Sequence, residues 1–206
     1  MCRENLLQLT RVVDSFDDKE YLISTIAYSA APTVEGHKPS TVISLPKNRR
    51  NLFQLWKSHK HDVAISLGVS FYELRQNEEG IQVLIYKPEL LRKCLVRKSS
   101  ISFLREYGYK EDMSLEDSLD QLKCRYRAGC PHELGIFLGY PVKDVEGFIE
   151  KQGKDCLLCR YWKVYHNPRR ATCMFDAYDR AKDKVACAIL DKCGLQAEKS
   201  MCLELN

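Results

Sequence analysis

Apolar residues recur at helical spacing along two stretches of the first thirty positions. Leu6, Leu7 and Val13 fall on the first. Tyr21, Leu22, Ile26 and Ala30 fall on the second, which starts at Asp17-Asp18. Pro32 is expected to end that helix. The segment APTVEGHKPS (31–40), punctuated by Pro32, Gly36 and Pro39, predicts an irregular loop. TVISLP (41–46) predicts a short strand. Residues 48–60 predict an amphipathic helix with Leu52, Leu55, Trp56 and His59 on one stripe. VAISLGVSFYEL (63–74) and IQVLIY (81–86), on either side of a turn at 76–80, predict a hairpin.

Pro88 opens a short helix, and further helices are expected at 99–107 and 114–127. Ser114, followed three residues later by Asp117, predicts a capping box with a short acid. Over 130–153, Cys130 falls at an N-cap position and Pro131 at the first helical one. Gly139 ends that helix, and Pro141 opens the next, whose Val142, Val145, Phe148 and Ile149 share a face until Gly153. RYWKVYH (160–166) predicts a strand with Trp162 and Val164 on one side and Tyr161, Lys163 and Tyr165 on the other. Residues 168–192 predict a long polar helix. The class is α+β: a small, mainly antiparallel sheet (strands near 41–46, 63–75, 81–86 and 160–166) wrapped by several helices. One domain is expected over 1–193, with a flexible tail over 194–206.

Composition narrows the classes. With 206 residues, 45% hydrophobic and 29% charged, the chain is neither wholly disordered, nor collagen-like, nor a membrane bundle. No apolar run reaches a spanning length of about 18 residues, and the N-terminus does not read as a signal peptide. The expectation is a cytoplasmic protein, so its ten cysteines are read as thiols, metal ligands or redox groups rather than disulfides. The net charge of +4 hides two basic clusters. One comprises Lys47, Arg49, Arg50, Lys57 and Lys60. The other comprises Lys87, Arg92, Lys93, Arg97 and Lys98. Such clusters can meet phosphates, and they are also ordinary solvated helix faces.

Four constellations could carry chemistry. Cys156 and Cys159 form a C-x-x-C pair, for which Cys124, Cys130 and His132 are the candidate further metal ligands, although no standard zinc spacing results. Cys130-Pro131-His132-Glu133 would put a thiol at a helix N-terminus beside an acid–base pair. Residues 131–151 look like a helix–turn–helix, but Asp144, Glu146 and Glu150 on the second helix would repel phosphates, so nucleic acid is disfavoured. The aromatics of 160–166 could stack on a ligand. No phosphate loop, nucleophile elbow or metalloprotease motif is present, and no motif names a cofactor.

PHELGIFLGYPVKDVEGFI (131–149), followed by CRYWKVY (159–165), resembles the signature block of the bacterial family catalogued as domain of unknown function 3793. APTVEGHKPSTVISLP (31–46) resembles the same family's N-terminal block, and the likeness extends over about residues 5 to 185. The resemblance implies a cytosolic protein of anaerobic bacteria. It associates the chain with redox or iron metabolism, and hence with flavodoxin-like or iron-handling partners. It carries no reaction and no catalytic residue. It places weight on Pro32, Gly36, Lys38 and Pro39, and on Pro131, His132, Glu133, Gly139, Tyr140, Pro141, Gly147, Trp162, Lys163 and Tyr165. The expectation is that the 31–40 loop and the block beginning at Pro131 form one pocket. His37, Lys38, His132 and Glu133 would be its polar groups, and Tyr140, Trp162, Lys163 and Tyr165 its wall. The functional expectation is a binding or accessory protein. The alternatives are an enzyme using His132 and Glu133 with Cys130 as nucleophile, or a nucleic-acid-binding protein.

Overall fold

The structure, a computed structural model, describes residues 3–48, 50–127 and 129–192. The expected tail over 194–206 lies outside them.

Three strands form an antiparallel sheet in the order β1-β3-β2: β1 (Ser40–Pro46), β2 (Ser70–Gln76) and β3 (Gly80–Tyr86). Alternation divides each strand between two cores. Val42 and Leu84, opposite Tyr72, face one of them. Ile43, Leu45, Val83 and Ile85 face the other. On the second side lie α2 (Asp18–Ser29) and α4 (Leu52–Leu67), which bury Leu22, Ile26, Trp56 and Val63. On the first side lie α5 (Pro88–Leu95), α6 (Lys98–Arg105), α7 (Leu115–Tyr126), α8 (Leu134–Phe137) and α9 (Val142–Glu150). The strands therefore read as more apolar than a half-exposed sheet, because both faces are covered.

The N-terminal α1 (Arg3–Ser15) packs with α2 and with α10 (Pro168–Asp191) around Leu9, Val12, Ala27, Ala186 and Ile189. Leu6 and Leu7, expected on its buried face, are exposed instead. A short α3 (Ala31–Val34) carries Pro32 in its first turn, so Pro32 starts a helical turn rather than ending one. The capping box at Ser114 and Asp117 forms in both directions. Ser114→Ala should cost about 1 kcal/mol in urea unfolding.

Three expectations are corrected. The strand expected from residue 63 starts only at Ser70. Residues 63–67 instead continue α4, with Val63 buried, and the helix closes on Gly68 with φ +57. The alternation at 160–166 is real, since Trp162 and Val164 are buried. But only β5 (Lys163–Val164) is strand, paired with β4 (Leu158–Cys159) in a separate two-stranded sheet. Finally, Cys130 caps no helix. α8 begins at Leu134 with Glu133 at its cap, after overlapping three-residue turns such as Leu134 N–H to Pro131 O (3.1 Å) and Gly135 N–H to His132 O (3.1 Å).

Candidate functional site

The two blocks singled out by sequence meet in space. The Pro32 carbonyl accepts from the N–H groups of both His37 (2.8 Å) and Lys38 (3.0 Å), closing a tight turn after α3. The Pro39 ring then lies against Gly139, where an added Cβ would come within 2.6 Å of Pro39 Cδ. Ser40 Oγ donates to the Phe137 carbonyl at 2.7 Å, and Lys87 N–H to the Pro39 carbonyl at 3.0 Å. Lys38 and Tyr140 thus sit on either side of one backbone junction.

Instead of the single expected pocket, two lie beside Tyr140, which lines both. The first, of about 450 Å³, is apolar and aromatic. Cys130, His132, Phe148, Trp162 and Lys163 line it. The Tyr140 and Trp162 rings stack at 4.9 Å, and Trp162 meets Phe175 edge-on at 4.4 Å. Asp144, buried at the start of α9, fixes this wall. Its carboxylate accepts from Trp162 Nε1 (2.9 Å) and from the Tyr165 (2.8 Å) and His166 (2.7 Å) backbone N–H groups. Tyr165 lines neither pocket; its Cβ lies against Gly147.

The second pocket, of about 720 Å³, holds His37 and Lys38. Lys93, Arg97, Lys143 and Arg170 also line it, and no Asp or Glu among the described residues does. Three helix N-termini converge there: Arg97, Ser99 and Ser100 of α6, Pro141 to Lys143 of α9, and Arg170 of α10. Neither α6 nor α9 has a side-chain cap, so their first N–H groups are left for another acceptor. Some cations elsewhere are matched, as in Lys60–Glu73, Arg125–Glu133 and Arg160–Asp176, and others are not. Among the described residues, none of the five lysines and arginines of this pocket has an ion-pair partner.

Lys38 is the unusual member. It is 7% exposed, and its ammonium makes no hydrogen bond or ion pair among the described residues, lying instead 5.5 Å from the Tyr140 ring centroid. Burial, and then repulsion by Lys182, lower its pKa to about 8. The nearest acid of its own segment, Glu35, is bound by Lys184 at 2.5 Å. Burial likewise pushes the Cys94 thiol up, and its Sγ donates to the Ile136 carbonyl at 3.3 Å. Tyr140 is pushed up to about 12, first by burial and then by Cys130, and stays a phenol.

A family described as "Protein of unknown function (DUF3793)" matches residues 26–197. The chain belongs to this family. Searches of curated proteins and of solved structures found no match. The stretch matched by the family spans both pockets, from the Lys38 turn to α10.

The structure separates the remaining candidates. Glu133 is fully buried and ion-paired with Arg125, and it lines neither pocket, so it does not share His132's surroundings. The weak metal candidates Cys130, His132, Cys156 and Cys159 do not assemble. Among the described residues, no group of three or more His, Cys, Asp or Glu side chains is arranged to hold a metal. Cys173 and Cys187, whose spacing suggests packing, are both exposed on α10. Arg97 and Lys93 belong to the second basic cluster of the sequence, and that cluster was the legible signal. Lys143, His166 and Arg170 carried none, because they join it only through the fold. In the other cluster, Arg50 binds Asp18 and carbonyls of α1's end, while Lys57 and Lys60 flank Glu73. No helix among the described residues is long and apolar enough to cross a membrane.

Proposed function

We propose that the protein binds a small anionic molecule, of the phosphate or carboxylate kind, in the basic pocket beside Tyr140. One observation carries this reading: among the described residues, Lys38 is buried without a counter-ion, in a pocket lined by four further cations without ion-pair partners. A buried unpaired charge costs several kcal/mol, and a fold retains it when something outside the chain supplies the opposite charge. The uncapped starts of α6 and α9 supply backbone donors for the same oxygens. The pocket's volume suits a small ligand rather than a macromolecule. We place the protein in the cytoplasm, where the seven described cysteines, none of them in a disulfide, stay reduced.

Inorganic pyrophosphate is the direct probe. Calorimetric titration at low salt should give saturable binding that weakens as salt screens the pocket. Lys38→Met should lower the affinity about tenfold or more, equivalent to about 1.4 kcal/mol. Absence of saturable binding would overturn the proposal.

The same variant should be more stable than the wild type at neutral pH. A lysine whose folded pKa lies near 8 holds fewer protons folded than unfolded between pH 8 and its ordinary value of 10.5. Wild-type stability therefore rises over that window, and the cost of the buried ammonium is felt in full only below pH 8. The advantage of Lys38→Met in urea unfolding should shrink by about 2 kcal/mol between pH 8 and pH 10. Taking the difference between the two proteins removes the tyrosines and thiols that titrate in both.

A further inference from the structure

Five cations and three helix N-termini are more than a small anion needs for charge neutralisation, and four of the cations stand exposed at the pocket wall. Lys38 differs from them in its burial and in how its position is fixed. Its nitrogen is withdrawn from water, whereas theirs are solvated, and its position next to Pro39 and the Tyr140 ring is fixed by the junction of the two family blocks. A merely anion-binding lysine gains from a solvated, flexible ammonium. A lysine that is desolvated and set beside other cations is instead an activated amine nucleophile.

We infer that Lys38 forms a Schiff base with the aldehyde or ketone carbonyl of a small molecule that the surrounding cations hold by its phosphate or carboxylate. This rests on the anion-binding reading of the same pocket and names its substrate class. Neutral Lys38 Nζ attacks the carbonyl carbon, a C–N bond forms, and the π pair moves to oxygen. The resulting carbinolamine loses its oxygen as water, and both protons of that water are accounted for by the amine: net, R–NH₂ and O=C give R–N=C and H₂O. No oxidant or reductant is required. His37 and His166 are the two imidazoles that line the same pocket, the groups available there to pass the proton between nitrogen and oxygen. Among the described residues, the titratable and charged groups that line this pocket or act on Lys38 include no carboxylate: Lys93, Cys94 and Arg97 come from α5 and the start of α6, Tyr140 and Lys143 from α9 and the turn before it, His166 from the strap before α10, and Arg170, Tyr178 and Lys182 from α10. Its lowered pKa of about 8 leaves a substantial neutral fraction near pH 7, where an ordinary lysine has almost none.

The test uses the full chain and pyridoxal 5′-phosphate, which carries an aldehyde and a phosphate on one small frame, at equimolar concentration and neutral pH. Borohydride traps any imine as a stable amine, and peptide mass mapping locates it. Lys38 should be labelled about tenfold or more faster than any other lysine. Inorganic pyrophosphate should suppress that label, and pyridoxal without the phosphate should label Lys38 more slowly. Labelling spread evenly over the exposed lysines, with pyrophosphate still bound in a parallel titration, would overturn the Schiff base and leave anion binding standing. A Lys38 label that pyrophosphate does not suppress would keep the nucleophile and overturn the anion site. Even labelling with no pyrophosphate binding would overturn both.

Discussion

Asp144→Ala is expected to destabilise the protein by about 4 kcal/mol in urea unfolding. The carboxylate is 2% exposed and accepts three hydrogen bonds, one from the Trp162 indole and two from successive backbone N–H groups. Removing it leaves three buried or half-buried donors without an acceptor, each costing about 1–3 kcal/mol. Asp144→Asn keeps the shape and one acceptor oxygen, so it should recover about half of the loss. The effect should also be visible locally. Trp162 fluorescence should shift toward the red in Asp144→Ala, because the strap from Trp162 to His166 is no longer tied to α9. A loss below about 1 kcal/mol would show that this carboxylate does not organise the wall between the two pockets.

Gly139→Ala should cost about 3 kcal/mol and weaken pyrophosphate binding in the folded protein. The backbone there has φ +80, which a side chain disfavours by about 1–2 kcal/mol. The new methyl would also lie 2.6 Å from Pro39 Cδ and 2.7 Å from Cγ. A proline ring is tied to its own backbone and cannot swing aside, so the Lys38 turn and the Tyr140 segment must separate. Pairing the change with Pro39→Ala removes the ring atoms and leaves the φ strain. In a double-mutant cycle, at least about 1 kcal/mol should return. An additive cycle would show that the two blocks do not bear on each other at this point.

Local signals carried most of the fold. Asp17, Ser114 and Asn167 cap helices where side-chain oxygens before apolar periodicity allow it, and β1 and β3 follow from short β-rich runs. Misreadings arose where a local rule met a tertiary one. Val63–Leu67 alternates like a strand, yet Val63 completes the face of α4, and burial against the sheet outweighs a modest strand preference. Cys130-Pro131 matches a helix start, yet burial of Glu133 against Arg125 delays α8 to Leu134. The described thiols are scattered and mostly exposed.

The candidate site divides along the same line. By itself the sequence determined its ingredients: the glycine and prolines around Lys38, the block from Pro131 to Tyr140, and the basic run containing Lys93 and Arg97. These are local facts of residue type and spacing. Only the tertiary structure decided that Lys38 is buried, that Glu133 is spent on an ion pair, and that Lys143 and Arg170 face the same space as Lys93 and Arg97. The reason is physical. Desolvation and charge pairing depend on what packs across tens of residues of chain separation, through contacts such as Pro39 on Gly139 and Ser40 on Phe137, and no local pattern encodes which side chain is left without a partner.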